Sequence, residues 1–260
     1  MKNAEDASHA YYDKACEAID RADFKAAIRI CIDAAGQFER AGAFCDASVA
    51  YHLLGGAAYK AGDLKDARAW YLKSLSLIEP PDEKSQLDYA STCNNLAAVV
   101  NALGEHSSAE EWLRKSLRIK ESLGDKLGMA TSYNQLGVVA DTQSNFKEAQ
   151  QWYLQSLSIH EEIGNIDGVV GTLINLANVA EKRFGVEAVE EWYRKALHAL
   201  DQDGKPSTAE RLGGEAERVG HFQAAAILYK KAYEMSKQQR EIDQMGQRRS
   251  WWRSWCSKNN

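Results

Sequence analysis

Six histidines are the side chains best suited to proton transfer or metal binding, and their spacing argues against both. His9, His52, His106, His160, His198 and His221 are scattered along the chain, with no pair four residues apart and no HExxH pattern. No glycine-rich phosphate loop of the GxxxxGKS/T or GxGxxG kind follows a strand. Carboxylates do occur in pairs, as Glu110-Glu111, Glu161-Glu162 and Glu190-Glu191. Each pair lies beside or just past a tryptophan, and Glu111–Lys115 and Glu191–Lys195 have the i, i+4 spacing of ion pairs on a solvated helix face. Cys16, Cys31, Cys45, Cys93 and Cys256 are odd in number and form no CxxC, so reduced, mostly buried thiols and a cytoplasmic location are expected. No catalytic residue, metal site or cofactor is expected, and the chain is not read as an enzyme.

Composition narrows the elements that must carry these residues. The 260 residues are 45% hydrophobic and 27% charged, with only three prolines and a net charge of −5. Alternating strand patterns are absent, so an all-α fold is expected. The acidic balance gives no general attraction to nucleic acid. No apolar run approaches the ~18 residues of a membrane-spanning helix, and the charged start MKNAEDASHAYYDKACEA is not a secretory signal.

The organising feature is a repeat. Residues 86–125 and 126–165 superpose position by position: Leu96 on Leu136, Ala109 on Ala149, Trp112 on Trp152, Gly124 on Gly164. The register extends in both directions through Lys14-Ala15, Leu54-Gly55, Leu96-Ala97, Leu136-Gly137, Leu176-Ala177 and Leu212-Gly213. Twelve residues beyond each small residue comes Ala27, Ala67, Ala109, Ala149, Val189 or Ala225. Four further stands Cys31, Tyr71, Leu113, Tyr153, Tyr193 or Tyr229, and three beyond that Ala34, Ser74, Ser116, Ser156, Ala196 or Ala232. Small residues let two antiparallel helices approach, and large ones on the facing helix fill the gap. Glycine, Asp and Asn punctuate the ends, and Pro80-Pro81 stops a helix outright. The ladder Trp70, Trp112, Trp152, Trp192 reads as packing between repeats.

This pattern resembles the tetratricopeptide repeat (TPR) family, with its W-x2-L-G-x2-Y, A-x3-F and A slots, over nearly the whole chain, in the 40–42-residue form seen in kinesin light chains, spindle adaptors and bacterial signalling proteins. The resemblance implies a right-handed α-solenoid of six helix-turn-helix repeats, approximately 4–42, 44–81, 86–125, 126–165, 166–204 and 206–240, in a single domain. Residues 241–260 form a basic, tryptophan-rich segment. Its Trp251, Trp252, Trp255 and Arg253 are read either as a cap on the last repeat or as a secondary contact with a partner, a membrane surface or a second copy of the chain.

The resemblance also implies that first-helix residues line a concave groove for another protein's peptide segment or helix. The candidates are His52, Tyr59, Asn94, Asn101, Asn134, Asp141, Asn178 and Glu181. The asparagines form a run of amides able both to donate to and accept from an extended backbone. Asn95, Gln135 and Asn175, just before each Leu, have hydrogen bonding within their own repeat as the competing reading. The Lys, Asn and Arg clamp used for chaperone C-termini is not matched at His52, Gly56, Asn94 and Ala98. A protein-interaction scaffold or adaptor is the function expected. A ligand-sensing regulator that changes shape, or self-assembly through the tail, is the alternative.

Overall fold

The computed structural model describes residues 2–79, 81–82, 85–203, 209–210, 213–214, 217 and 226–237, with the backbone alone for 2–10, 186–187, 190 and 201–203. The chain divides into two compact units, residues 1–152 and 153–260. Every regular element among the described residues is helical. In the first unit α1 (Lys2–Asp20), α2 (Phe24–Arg40), α3 (Phe44–Ala61), α4 (Leu64–Leu77), α5 (Gln86–Ala102), α6 (His106–Leu123) and α7 (Lys126–Thr142) follow one another. Helix α8 (Phe146–Glu162) crosses the division. The second unit continues with α9 (Ile166–Phe184), a short 3-10 turn η1 (Val186–Val189) and α10 (Glu190–Asp203), and residues 226–237 are also helical. The expected all-α arrangement of helix pairs is observed, α1 to α7 each packing on their chain neighbours in the first unit and α9 on α10 in the second.

Local chemistry sets the boundaries. Asp23, Asp125 and Asn165 cap α2, α7 and α9 by accepting the backbone N–H of Ala26, Gly128 and Gly168 at 3.1, 2.9 and 3.2 Å. Gly62, with φ 88°, closes α3 in the left-handed region that glycine enters without strain. Ala22 and Ser144 hold the same kind of turn at φ 58° and 61° without being glycine.

The repeated slots form the core. Leu54, Leu96, Leu136 and Leu176 are no more than 2% exposed, and Ala67, Ala109 and Ala149 are fully buried. Gly55 shows why the slot beside the leucine is small. A Cβ there would lie 2.7–2.9 Å from ring atoms of Tyr71, closer than packed atoms approach. The buried serines three residues past the large slot are bonded to first-helix backbone, Ser74 Oγ donating to Ser48 O at 2.9 Å and Ser116 Oγ to Ala90 O at 2.7 Å. Removing either hydroxyl's partner would leave a buried polar group unsatisfied. Trp70 stacks on Tyr51 at 5.6 Å and touches the core on both its sides, and Trp152 stacks on Tyr133 at 5.8 Å.

Candidate protein-interaction face

In the first unit the odd-numbered helices approach one another, α1 to α3, α3 to α5 and α5 to α7, more closely than the even-numbered ones do. The odd helices therefore line the inner side of the bend. Residues from three repeats converge there. Tyr12 on α1 is 49% exposed, and its hydroxyl is raised in pKa first by Cys16 and then by the carboxylates of Asp13 and Asp88. Asp88 belongs to α5, two repeats away in sequence. Although exposed, it is crowded enough by protein that desolvation raises its carboxyl.

His52 lies on the floor of this face. Thr92 spends its single hydroxyl proton on the Asp88 carbonyl at 2.8 Å, so its Oγ1 must accept from His52 Nδ1, also at 2.8 Å. Nε2 is then the bare nitrogen, and Asn95 Nδ2 donates to it at 3.3 Å. The edge of Tyr71 closes the ring in at 5.6 Å, and burial holds the imidazole near a pKa of about 4. His52 is thus a neutral side chain clamping α3 to α5. Asn95 reaches the preceding repeat, bonding His52 and also interacting with Tyr71, rather than bonding only within its own repeat.

The amide run is distributed otherwise than the sequence suggests. Asn94 is 6% exposed, and its Oδ1 accepts from Ser132 Oγ at 2.9 Å, while Lys120 Nζ donates to the same hydroxyl at 3.0 Å. The Lys120–Ser132–Asn94 chain draws Asn94 into the α5–α6–α7 junction, so it offers no open amide. Asn101 is half-buried, with Oδ1 2.7 Å from His106 Nδ1 and 3.1 Å from Thr142 Oγ1. Asn134 and Asp141 on α7 are half-buried and engaged. Tyr59, 41% exposed on α3, is the predicted residue most open to a partner. In the second unit Asn178 keeps its Oδ1 buried without a hydrogen-bond partner, and Glu181, half-buried on the same helix, raises the Tyr193 hydroxyl together with burial. Trp251, Trp252, Arg253 and Trp255 lie outside the described residues. The residues the sequence pattern did not single out are Asp88 and Thr92, two turns and one turn N-terminal to Asn95.

Elsewhere several charged side chains form surface ion pairs. Lys115 pairs with Glu79 at 2.7 Å and Arg114 with Glu110 at 2.8 Å, while Glu191–Lys195 forms at the expected i, i+4 spacing at 2.8 Å. Among the described residues no three His, Cys, Asp or Glu side chains gather to hold a metal ion, and no helix is long and apolar enough to cross a membrane.

The repeat slots and helix pairs agree with sequence-family comparison. Tetratricopeptide-repeat models match residues 88–162 and 48–80. Over these residues the chain carries tetratricopeptide repeats. Among solved structures, TPR-type helical arrays share its fold. The apo form of RapI aligns with a TM-score of 0.66 and 14% identity, over 90% of this chain and 99% of that one. BtubC (BKLC) from P. vanneervenii gives 0.60 and 17%, over 84% and 92%. A Rap protein complexed with competence and sporulation factor gives 0.63 and 14%, over 90% and 76%. No curated protein is similar enough in sequence to count as a match. At these identities the likeness to solved structures is one of fold, and this TPR chain's own residues must carry its functional reading.

Proposed function

We propose that this TPR chain is a non-enzymatic scaffold that holds a segment of a partner protein, an extended peptide or a helix, against the inner face of α1, α3, α5 and α7. The observation that carries this reading is the pair of exposed aromatic side chains, Tyr12 and Tyr59, on a face whose other polar groups are largely tied down. Aromatic residues left open on a concave surface supply large contact area at low entropic cost when a partner covers them. The rigid His52–Thr92–Asn95 floor means that little ordering is needed on binding. TPR arrays are typically scaffolds rather than enzymes, and a Rap protein of similar fold has been captured in complex with a factor.

The test is selection of a random peptide library on the immobilised protein. Recovered peptides should bind the Tyr12→Ala/Tyr59→Ala variant at least tenfold more weakly by fluorescence polarisation. Unchanged affinity in that variant would remove the inner face from consideration.

A further inference from the structure

Repeat one lacks something that repeat two has. In repeat two the Tyr71 ring, 2% exposed, lies across Gly55, presents its hydroxyl to Gly56 and Asn95, and meets His52 edge-on. Forty residues earlier the slots hold Cys31 for Tyr71, Ala15 for Gly55, Cys16 for Gly56 and Tyr12 for His52. On the following helix, Ala50 and Leu53 stand where Thr92 and Asn95 do, 42 residues on. A thiol therefore occupies the place of a phenol ring, and the neighbours do not collapse to fill it. A pocket of about 290 Å³ remains, lined by Tyr12, Ala15, Cys31, Val49, Ala50 and Leu53 among others. For scale, an apolar cavity of ~150 Å³ is enough to take up benzene.

We infer that this pocket receives a phenylalanine side chain of the partner segment. The inference rests on the inner-face reading above and adds the chemistry of the anchor. The molecule supplies the precedent, since the equivalent cradle of repeat two is already filled by an aromatic ring. Direction of entry selects the ring. Tyr71 reaches the cradle from the second helix, so its hydroxyl points out towards Gly56, Asn95 and the inner face. A guest arriving from the inner face, past exposed Tyr12, enters tip first and ends against Cys31 and Ala34. Cys31 and Ala34 offer no strong acceptor, the one carboxylate of the lining being Asp46 in the first turn of α3, and burial pushes the Cys31 thiol up to about 12, so it stays protonated. A phenolic hydroxyl would lose its water there without compensation, whereas a phenyl ring loses nothing.

The probe is toluene, the phenylalanine side chain by itself, with p-cresol as the tyrosine counterpart. Titrated into the full chain, toluene should shift the methyl NMR signals of Ile30, Val49 and Leu53, at lower concentration than p-cresol does. Cys31→Leu reproduces the Ala97–Leu113 pair of repeat three, fills the space and should weaken toluene binding at least tenfold, while Cys31→Ala keeps it. Should Cys31→Leu fail to fold, Ala15→Gly/Cys31→Tyr restores the repeat-two arrangement and serves as the filled variant. Absence of methyl shifts at toluene saturation, or equal binding to a filled variant, overturns the pocket. Peptides selected on the wild type should carry a phenylalanine at one position that selection on the filled variant no longer enriches. A library that yields no peptides while toluene still binds would refute the inner-face reading and leave the pocket standing, so the two failures are distinguishable.

Discussion

Residues 86–125 and 126–165 are two copies of one design, and they differ in how each hands over to the next repeat. The first copy ends in Lys120 and Asp125, the second in His160 and Asn165. Lys120 is 4% exposed and His160 6%, each lying against a glycine in the first turn of the following helix, Gly128 or Gly168. Burial lowers the proton affinity of both. Lys120 has the Asp125 carboxylate to oppose that effect and Ser132 Oγ to accept its hydrogen bond. His160 has only the neutral Asn165 amide, donating to Nδ1 at 3.2 Å. The cap residue and the buried base thus change together, so a charged junction and a neutral junction are built in the same space.

Mixing the two junctions should give the largest effect. His160→Lys places a cation where no carboxylate answers it and should cost about 3 kcal/mol in urea unfolding. Adding Asn165→Asp should recover at least about 1 kcal/mol of this; a double variant no more stable than the single would break the pairing of cap and base. Next come the glycines. Gly168→Ala would set a methyl against the His160 ring, and Gly128→Ala one against Asp125 and Lys120, each costing about 2 kcal/mol by overpacking. If both are tolerated, the close approach is not what selects glycine. A smaller effect, about 1 kcal/mol, is expected in the turn inside each copy, where Gly104 has φ 83° and Ser144 φ 61°. Ser144→Gly should raise the unfolding midpoint by relieving left-handed strain. The smallest effect is a pH slope. The folded-state pKa of His160 is depressed, so its contribution is complete above the unfolded value of about 6.5 and is lost as pH falls towards the folded one. Wild type should lose more Tm between pH 7 and 5 than His160→Leu; parallel curves would show that the junction does not titrate.

How much could be read in advance depended on whether a residue's partner lay within its own repeat. Leu96, Ala109 and Ser116 pack inside one helix pair, so spacing alone announces them. Asn94 meets Ser132, 38 residues away, because α7 stacks on α5, and periodicity within a repeat carries no record of that contact. The same holds for Asn95, whose partner His52 sits 43 residues back. A face assignment places both amides on the inner side of α5, yet one is drawn into the junction and the other holds the floor. The pocket of repeat one did have a sequence signal, a small residue at position 31 where the other copies carry Tyr or Leu. It is visible only when the six slots are compared as volumes rather than as matches.

The influence of Asp88 on Tyr12 has a consequence for how the array unfolds. These groups are 76 positions apart in sequence, yet the inward bend brings helices one and five within electrostatic reach. In a linear array, end repeats fray independently, since each is held only by its nearest neighbour. A guest seated between Tyr12 and Asp88 would be held by the first and third repeats at once. An outer repeat could then open only by releasing it. Occupancy would then turn three separately melting repeats into one cooperative block, most visibly as slower amide exchange in α1 and α2.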